Sequence, residues 1–300
     1  MSFDKLHEYL TGIYTDECCA APLSLVSEAG LAAGDGFKNA LQAIKKAFDE
    51  AVIFIHGKKG FNAKMLAEKP VRNLITEING MLQKAVKEGI AYEVPEVMKQ
   101  HLQKDVFMFS GMKTYAEMKE ASGLLMDSKG GIKSLPKFTE DVKKIHTTYN
   151  ENYLRAERNF AVGSAQNSSK WGKYETEKER YDLKYMTDNG PNVRQTHRAL
   201  EGTVLPVDDP FWNSYAPKNG WNCHCFLLQV RKGDYTVSDS AEAIVRGDKA
   251  TTQIGKDGKN KAAMFRFNPG KEMKIFPPGH PLFNLKDGGR ALEEVKRMIK

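Results

Sequence analysis

Two cysteines flank a histidine in Cys223-His224-Cys225, and His197 and the acidic pair Asp208-Asp209 stand a short way upstream. Thiolate sulfur and neutral imidazole are preferred zinc ligands, so His197, Cys223 and Cys225, completed by Asp208 or Asp209, form a candidate metal set. "CHCFLLQV" reads as a strand, in which residues two apart share a face; both thiols then point one way and His224 the other. Parallel side chains would strain a disulfide between them. A thioredoxin-type redox pair needs two intervening residues and a helix N-terminus, and neither is present. Two readings stay open, a metal grip and a buried packing role. Cysteine is among the most often buried residue types, and a C-x-C pair with no CxxC or HxxxH companion does not choose between them.

No catalytic set emerges. His197 is followed by Arg198 and Ala199, so the H-x-E of the zinc deaminases lacks its glutamate. Asp208-Asp209 precedes Pro210, the pattern of a turn whose carboxylates accept backbone N–H groups. The motifs G-x-S-x-G, HExxH and the glycine-rich phosphate loop are absent. Beyond residue 230, Arg266, Lys271 and His280 are the remaining candidates, and His280 between Gly279 and Pro281 reads as structural. The expectation is therefore no enzyme and no cofactor, with zinc as the alternative.

The elements that would hold these residues change character along the chain. Phe37, Leu41, Ile44, Phe48, Val52 and Ile55 recur at steps of three and four, as do Val71, Leu74, Ile75, Ile78, Leu82 and Val86, so both stretches predict amphipathic helices. Pro70 suits the first turn of the second. The pattern continues from Val97 to Leu125, with Ser110 as a candidate N-cap. A long helix is expected over 139–172, carrying Val142, Ile145, Tyr149, Tyr153 and Phe160 near one face. After it come strand-like "ERYDLKYMT", the turn "DNGPN", a short helix closed by Gly202, and a loop rich in proline and aromatics. "FRFNPGKEMKIFPPGHPLF" predicts a hairpin with Phe265, Phe267, Ile275 and Phe276 inward, and a basic helix follows. The fold class is α+β: a helical region at 1–138, a connecting helix at 139–172, a small α+β core at 173–235 and a basic extension at 236–300.

Composition narrows the setting. Of 300 residues 41% are apolar and 28% charged, which describes a folded chain, and no apolar run approaches the roughly 20 residues that cross a bilayer. "MSFDKLHEYL" carries acids and lacks the basic start of a secretory signal. Four cysteines, two adjacent as Cys18-Cys19, make no disulfide framework, so reduced thiols are expected. The net charge of +7 is concentrated: residues 251–300 hold 11 Lys and Arg against 5 Asp and Glu. That segment is where a polyanion would be attracted.

Taken whole, "RQTHRALEGTVLPVDDPFWNSYAPKNGWNCHC" resembles the C-terminal domain of the phage Mu F-like minor head proteins. The matching positions are Arg194, His197, Leu200, Gly202, Leu205, Asp208, Asp209, Pro210, Phe211, Trp212, Pro217, Asn219, Gly220, Trp221, Cys223 and Cys225. Two positions depart from the family pattern: His224 replaces a central arginine, and Lys218 separates Pro217 from Asn219. The resemblance implies a minor structural protein of a phage head, made in the bacterial cytoplasm and carried in the virion near the portal. It implies as partners the portal and other head proteins, and a role in head morphogenesis and DNA packaging or ejection, with non-specific DNA contact expected through 251–300 and no membrane. Some relatives carry a toxin or nuclease after this region, so a virion-delivered zinc-dependent or nuclease-type enzyme is the alternative. Trp212 and Trp221 are expected to bury together against the cysteine face.

Overall fold

The computed structural model describes Lys5, Leu6, Tyr9, Tyr14 and residues 34–299. Cys18, Cys19 and most of the stretch read against a secretory signal lie outside the described residues. Among the described residues no helix is long and apolar enough to cross a membrane.

The periodic stretches fold as their spacing dictates. Helix α1 (Gly34–Gly57) buries Ile44, Phe48, Val52 and Ile55, and α2 (Lys69–Gly89), opened by Pro70, buries Val71, Leu74, Ile75, Ile78, Leu82 and Val86. Each fully buried aliphatic or aromatic side chain of this kind contributes about 1.5–3 kcal/mol. Helix α3 (Glu96–Gly123) differs, because residues 110–118 are buried on every side. It is the central helix of the bundle. Ser110 therefore caps nothing: it sits mid-helix, and its hydroxyl donates to the Val106 carbonyl at 2.8 Å.

The expected connecting helix is longer than its apolar pattern and is interrupted. Helix α4 (Leu135–His146) runs into a π-helical segment, Thr147–Tyr153, and on into α5 (Leu154–Glu177). Leu154, Phe160, Ala161 and Ala165 of α5 join the helical core, while Trp171 and Tyr174 join a second, smaller core. One helix thus serves both.

The second core belongs to a three-stranded antiparallel sheet in the order β2-β1-β3, formed by β1 (Tyr181–Met186), β2 (Val204–Pro206) and β3 (Phe226–Arg231). Leu183 faces Leu205 across one ladder, and Met186 pairs with Phe226 at the end of the other. Short helices α6 (Gln195–Arg198) and α7 (Phe211–Tyr215) lie in the connections, and α8 (Ser240–Ala250) covers the aromatic loop.

Residues 261–299 then return to the helical core. Phe265, Phe267, Ile275 and Phe276 are buried as expected, but they form no hairpin. The segment is a 3-10 turn (Lys261–Phe265), the short helix α9 (Pro269–Glu272) and a second 3-10 turn (Pro281–Asn284). Pro269, Pro277, Pro278 and Pro281 remove donors a ladder would need. The N–H groups of Ile275 and Phe276 go instead to one oxygen of Asp105 on α3, each at 2.9 Å. Helix α10 (Gly288–Ile299) closes the core against α3. A Cβ on Gly111 would fall 2.6 Å from both methyls of Val295, so only glycine allows this approach.

Candidate functional site

The sequence Arg194 to Cys225 folds into one knot on the small sheet, and most motif positions have a physical task. His197 lies in α6, whose last turn passes through Leu200 and Glu201 to Gly202. Gly202 has φ +77°, a conformation that favours glycine, and donates to the Tyr185 carbonyl on β1 at 2.9 Å. The chain then enters β2. Asp209 accepts the Phe211 N–H at 2.8 Å and the Ser240 hydroxyl at 2.9 Å, whereas Asp208 is exposed. The acidic pair is thus a turn, and its buried partner choices take Asp209 away from the cysteines. Neither aspartate joins the metal set, contrary to the expected fourth ligand.

Trp212 is fully buried, with its indole N–H on the Pro206 carbonyl at 2.8 Å. Asn219 accepts from the Tyr185 hydroxyl at 2.9 Å and donates to the Ala216 carbonyl at 3.3 Å. The Arg194 guanidinium lies on the backbone of Gly220, where a Cβ would stand 2.3 Å from its Nη1. The Arg-x-x-His and Gly-Trp parts of the motif therefore need each other. Lys218, a departure from the family pattern, has a place of its own. Its chain lies on Gly163 of α5, and its ammonium donates to the Cys225 carbonyl at 2.9 Å. Burial holds its pKa below the ordinary lysine range.

A turn at Trp221-Asn222 replaces the expected start of the strand. Asn222 has φ +54°, and β3 begins only at Phe226, because Met186 is the last residue on β1 available to pair. The alternation expected of a strand nevertheless survives: Cys223 and Cys225 are buried, and His224 is exposed beside Asp188. Both thiols are free. Their sulfurs lie 3.6 and 3.7 Å from His197 Nδ1, and one ligand atom from each of the three residues falls within 4.8 Å of the others. The hydrogen bond from Cys225 holds the Cys223 thiol well below its usual range, helped by His197 and Lys218 and opposed by burial. The same bond and burial push Cys225 up.

Trp221 does not join Trp212. It crosses into the helical core, 4.9 Å from Phe160 and 5.4 Å from Phe265 between ring centroids, and stacks on Tyr14 at 4.6 Å. Trp212 packs in the small core instead, with Cys223 and Cys225, and the turn at residue 222 parts Trp221 from Cys223.

A polar seam inside the helical core had no counterpart in the sequence reading. Lys113 of α3 pairs with Glu157 of α5 at 3.0 Å, both fully buried; Tyr14 donates to Glu157 at 2.8 Å and lies 3.3 Å from His280 Nε2. Asn150 donates to Glu117. Burial raises Glu117 to about 8 against the opposing charge of Lys113, and lowers His280 to about 3. The signal was present: Glu157 stands four residues after Tyr153 and three before Phe160, on the apolar stripe itself. His280 accepts the Leu282 N–H within a 3-10 turn, Lys271 bonds Asn213, and Arg266 pairs with Asp248, so the three candidates beyond residue 230 hold separate structural posts.

The family description "Phage Mu protein F like protein" matches residues 76–228, just over half of the 300 residues. The chain belongs to this family. It is 30% identical over 103 residues to the Mu-like prophage FluMu F protein of Haemophilus influenzae, covering 31% of this chain and 24% of that protein. It is 24% identical over 224 residues to the putative capsid assembly protein F of Escherichia phage Mu, covering 66% of this chain and 45% of that protein. The matches thus span less than half the length of either relative. No solved structure matches.

Proposed function

We propose that this chain is a minor structural protein of a phage head that acts in head morphogenesis near the portal. The observation that carries this reading is the family match over 76–228, which takes in α5 and the whole Arg194–Cys225 knot. The capsid assembly named for the phage Mu relative is its closest functional description. In this reading the helical body docks on the portal or a neighbouring head protein, and the small sheet with its knot is the shared module. DNA contact during packaging or ejection falls to exposed cations of 251–299, among them Lys256, Lys259, Lys286 and Arg290. From Ala262 onward most apolar residues of this segment pack into the helical core, so the contact is a surface and not a free arm.

The test is a nonsense mutation of this chain in its phage, with heads purified and probed by antibody. Heads that carry the chain in the wild type and misassemble or lose infectivity without it support the reading. Normal infectious heads that never contained the chain overturn it. A fall in DNA affinity of the purified protein with rising salt, weakened by Lys286→Glu/Arg290→Glu, checks the nucleic-acid contact separately.

A further inference from the structure

We infer that His197, Cys223 and Cys225 bind one zinc ion, which clamps α6 to the entrance of β3. In a tetrahedral zinc site, bonds of about 2.3 Å to sulfur and 2.0–2.1 Å to nitrogen place sulfur and nitrogen corners roughly 3.5 Å apart. The sulfurs of Cys223 and Cys225 stand 3.6 and 3.7 Å from His197 Nδ1, already at that spacing. They are fixed there by different elements: His197 by α6, and the cysteines by the turn after Gly220 and the Lys218 bond to the Cys225 carbonyl. Packing alone explains the arrangement poorly, because it offers the buried Nδ1 of His197 only two long contacts to sulfur. A bond from Nδ1 to an ion is the stronger use of a buried imidazole.

Two thiolates and an imidazole form a soft ligand set, which selects zinc over magnesium or calcium. A cavity of about 130 Å³, lined in part by Cys223, Lys218, Asn222 and Gly163, lies on the Cys223 side of the cluster. The ion would close a loop of the chain from 197 to 225, which contains the whole aromatic knot. This inference does not depend on the head-assembly reading, and elemental analysis can fail without touching that reading.

The experiment uses the full chain, purified without a metal-affinity step. About one zinc per chain is expected, lost in Cys223→Ser, Cys225→Ser and His197→Ala and retained in the Cys18→Ser/Cys19→Ser control. Chelation under native conditions should expose two further thiols to titration and shift the tryptophan emission. Should the single variants fail to fold, cobalt titration of the apo wild type decides: sulfur-to-cobalt absorption with the d–d bands of a tetrahedral ion supports the site. Absence of both bands, with thiols that react only on unfolding whether or not chelator is present, overturns it. Zinc that survives in the Cys223 and Cys225 variants also overturns it, as an ion held elsewhere.

Discussion

The two cores solve the problem of buried polarity in opposite ways. The helical core takes a full ion pair, Lys113 with Glu157, and surrounds it with Asn150, Tyr14 and Glu117, so charge is balanced by charge within long rigid helices. The small core has short elements and fewer apolar residues, and it mixes the buried Asp182 and the partly buried Lys218 with softer groups: two thiols, one imidazole, and the Tyr185–Asn219 bond. Long helices supply enough area to offset the desolvation of two ions. The three-stranded sheet has less area and relies on hydrogen bonds that tie its loops to its strands. Trp221 is the peg between them.

Removing that peg should have the largest effect. Trp221→Ala is expected to cost about 3–5 kcal/mol and to split urea unfolding into two transitions, read by circular dichroism and by fluorescence of the remaining tryptophans. A single cooperative transition of unchanged midpoint would show that the cores do not communicate through this residue. Next comes the ion pair: Lys113→Met leaves Glu157 buried and unpaired, at about 3–5 kcal/mol, and adding Glu157→Leu should recover much of the loss. If the double variant is no better than the single, the seam is held by its other members.

The pH dependence distinguishes the helical core further. Glu117 has a folded pKa of about 8 against 4.5 for a free glutamate, so the folded state binds the extra proton. Its contribution is full below pH 4.5 and is lost as pH rises toward 8. His280, lowered from 6.5 to about 3, contributes above pH 6.5 and loses its share as pH falls toward 3. Glu117→Gln should flatten the alkaline slope of the melting temperature and leave the acid limb in place. The smallest effect is expected from Asp209→Ala, about 1 kcal/mol from the lost turn bonds, read as a small fall in the urea midpoint.

Much of this was legible in the sequence. The apolar steps of α1 and α2 fixed their buried faces, and the motif from Arg194 to Cys225 marked the residues the structure brings together. What could not be read is where a chain turns its back on itself. Trp221 and Cys223 are two residues apart, a spacing that in a strand means a shared face. One residue with positive φ, Asn222, is enough to separate them. The Phe265–Phe276 stretch alternated like a hairpin, yet its donors were claimed by Asp105, 170 positions away in the chain. Lys113 and Glu117 look like solvent-facing charges until the helices that cover them are assembled.

The π-helical segment Thr147–Tyr153 acts as a phase changer. One residue of helix corresponds to about 100° of rotation, and a π-turn absorbs one residue more than an α-turn. Before it, α4 presents Val142 and Ile145 to the bundle; after it, α5 presents Phe160 to Trp221 and Gly163 to Lys218. Deleting a single residue there would leave a smoother α-helix with its later side chains still aimed at their partners, because the π-turn holds the one residue that the α-phase does not need. Length therefore counts differently along this stretch: a one-residue gap is absorbed within Thr147–Tyr153, whereas the same gap within Leu154–Glu177 would rotate the following side chains by about 100° and misaim the small sheet.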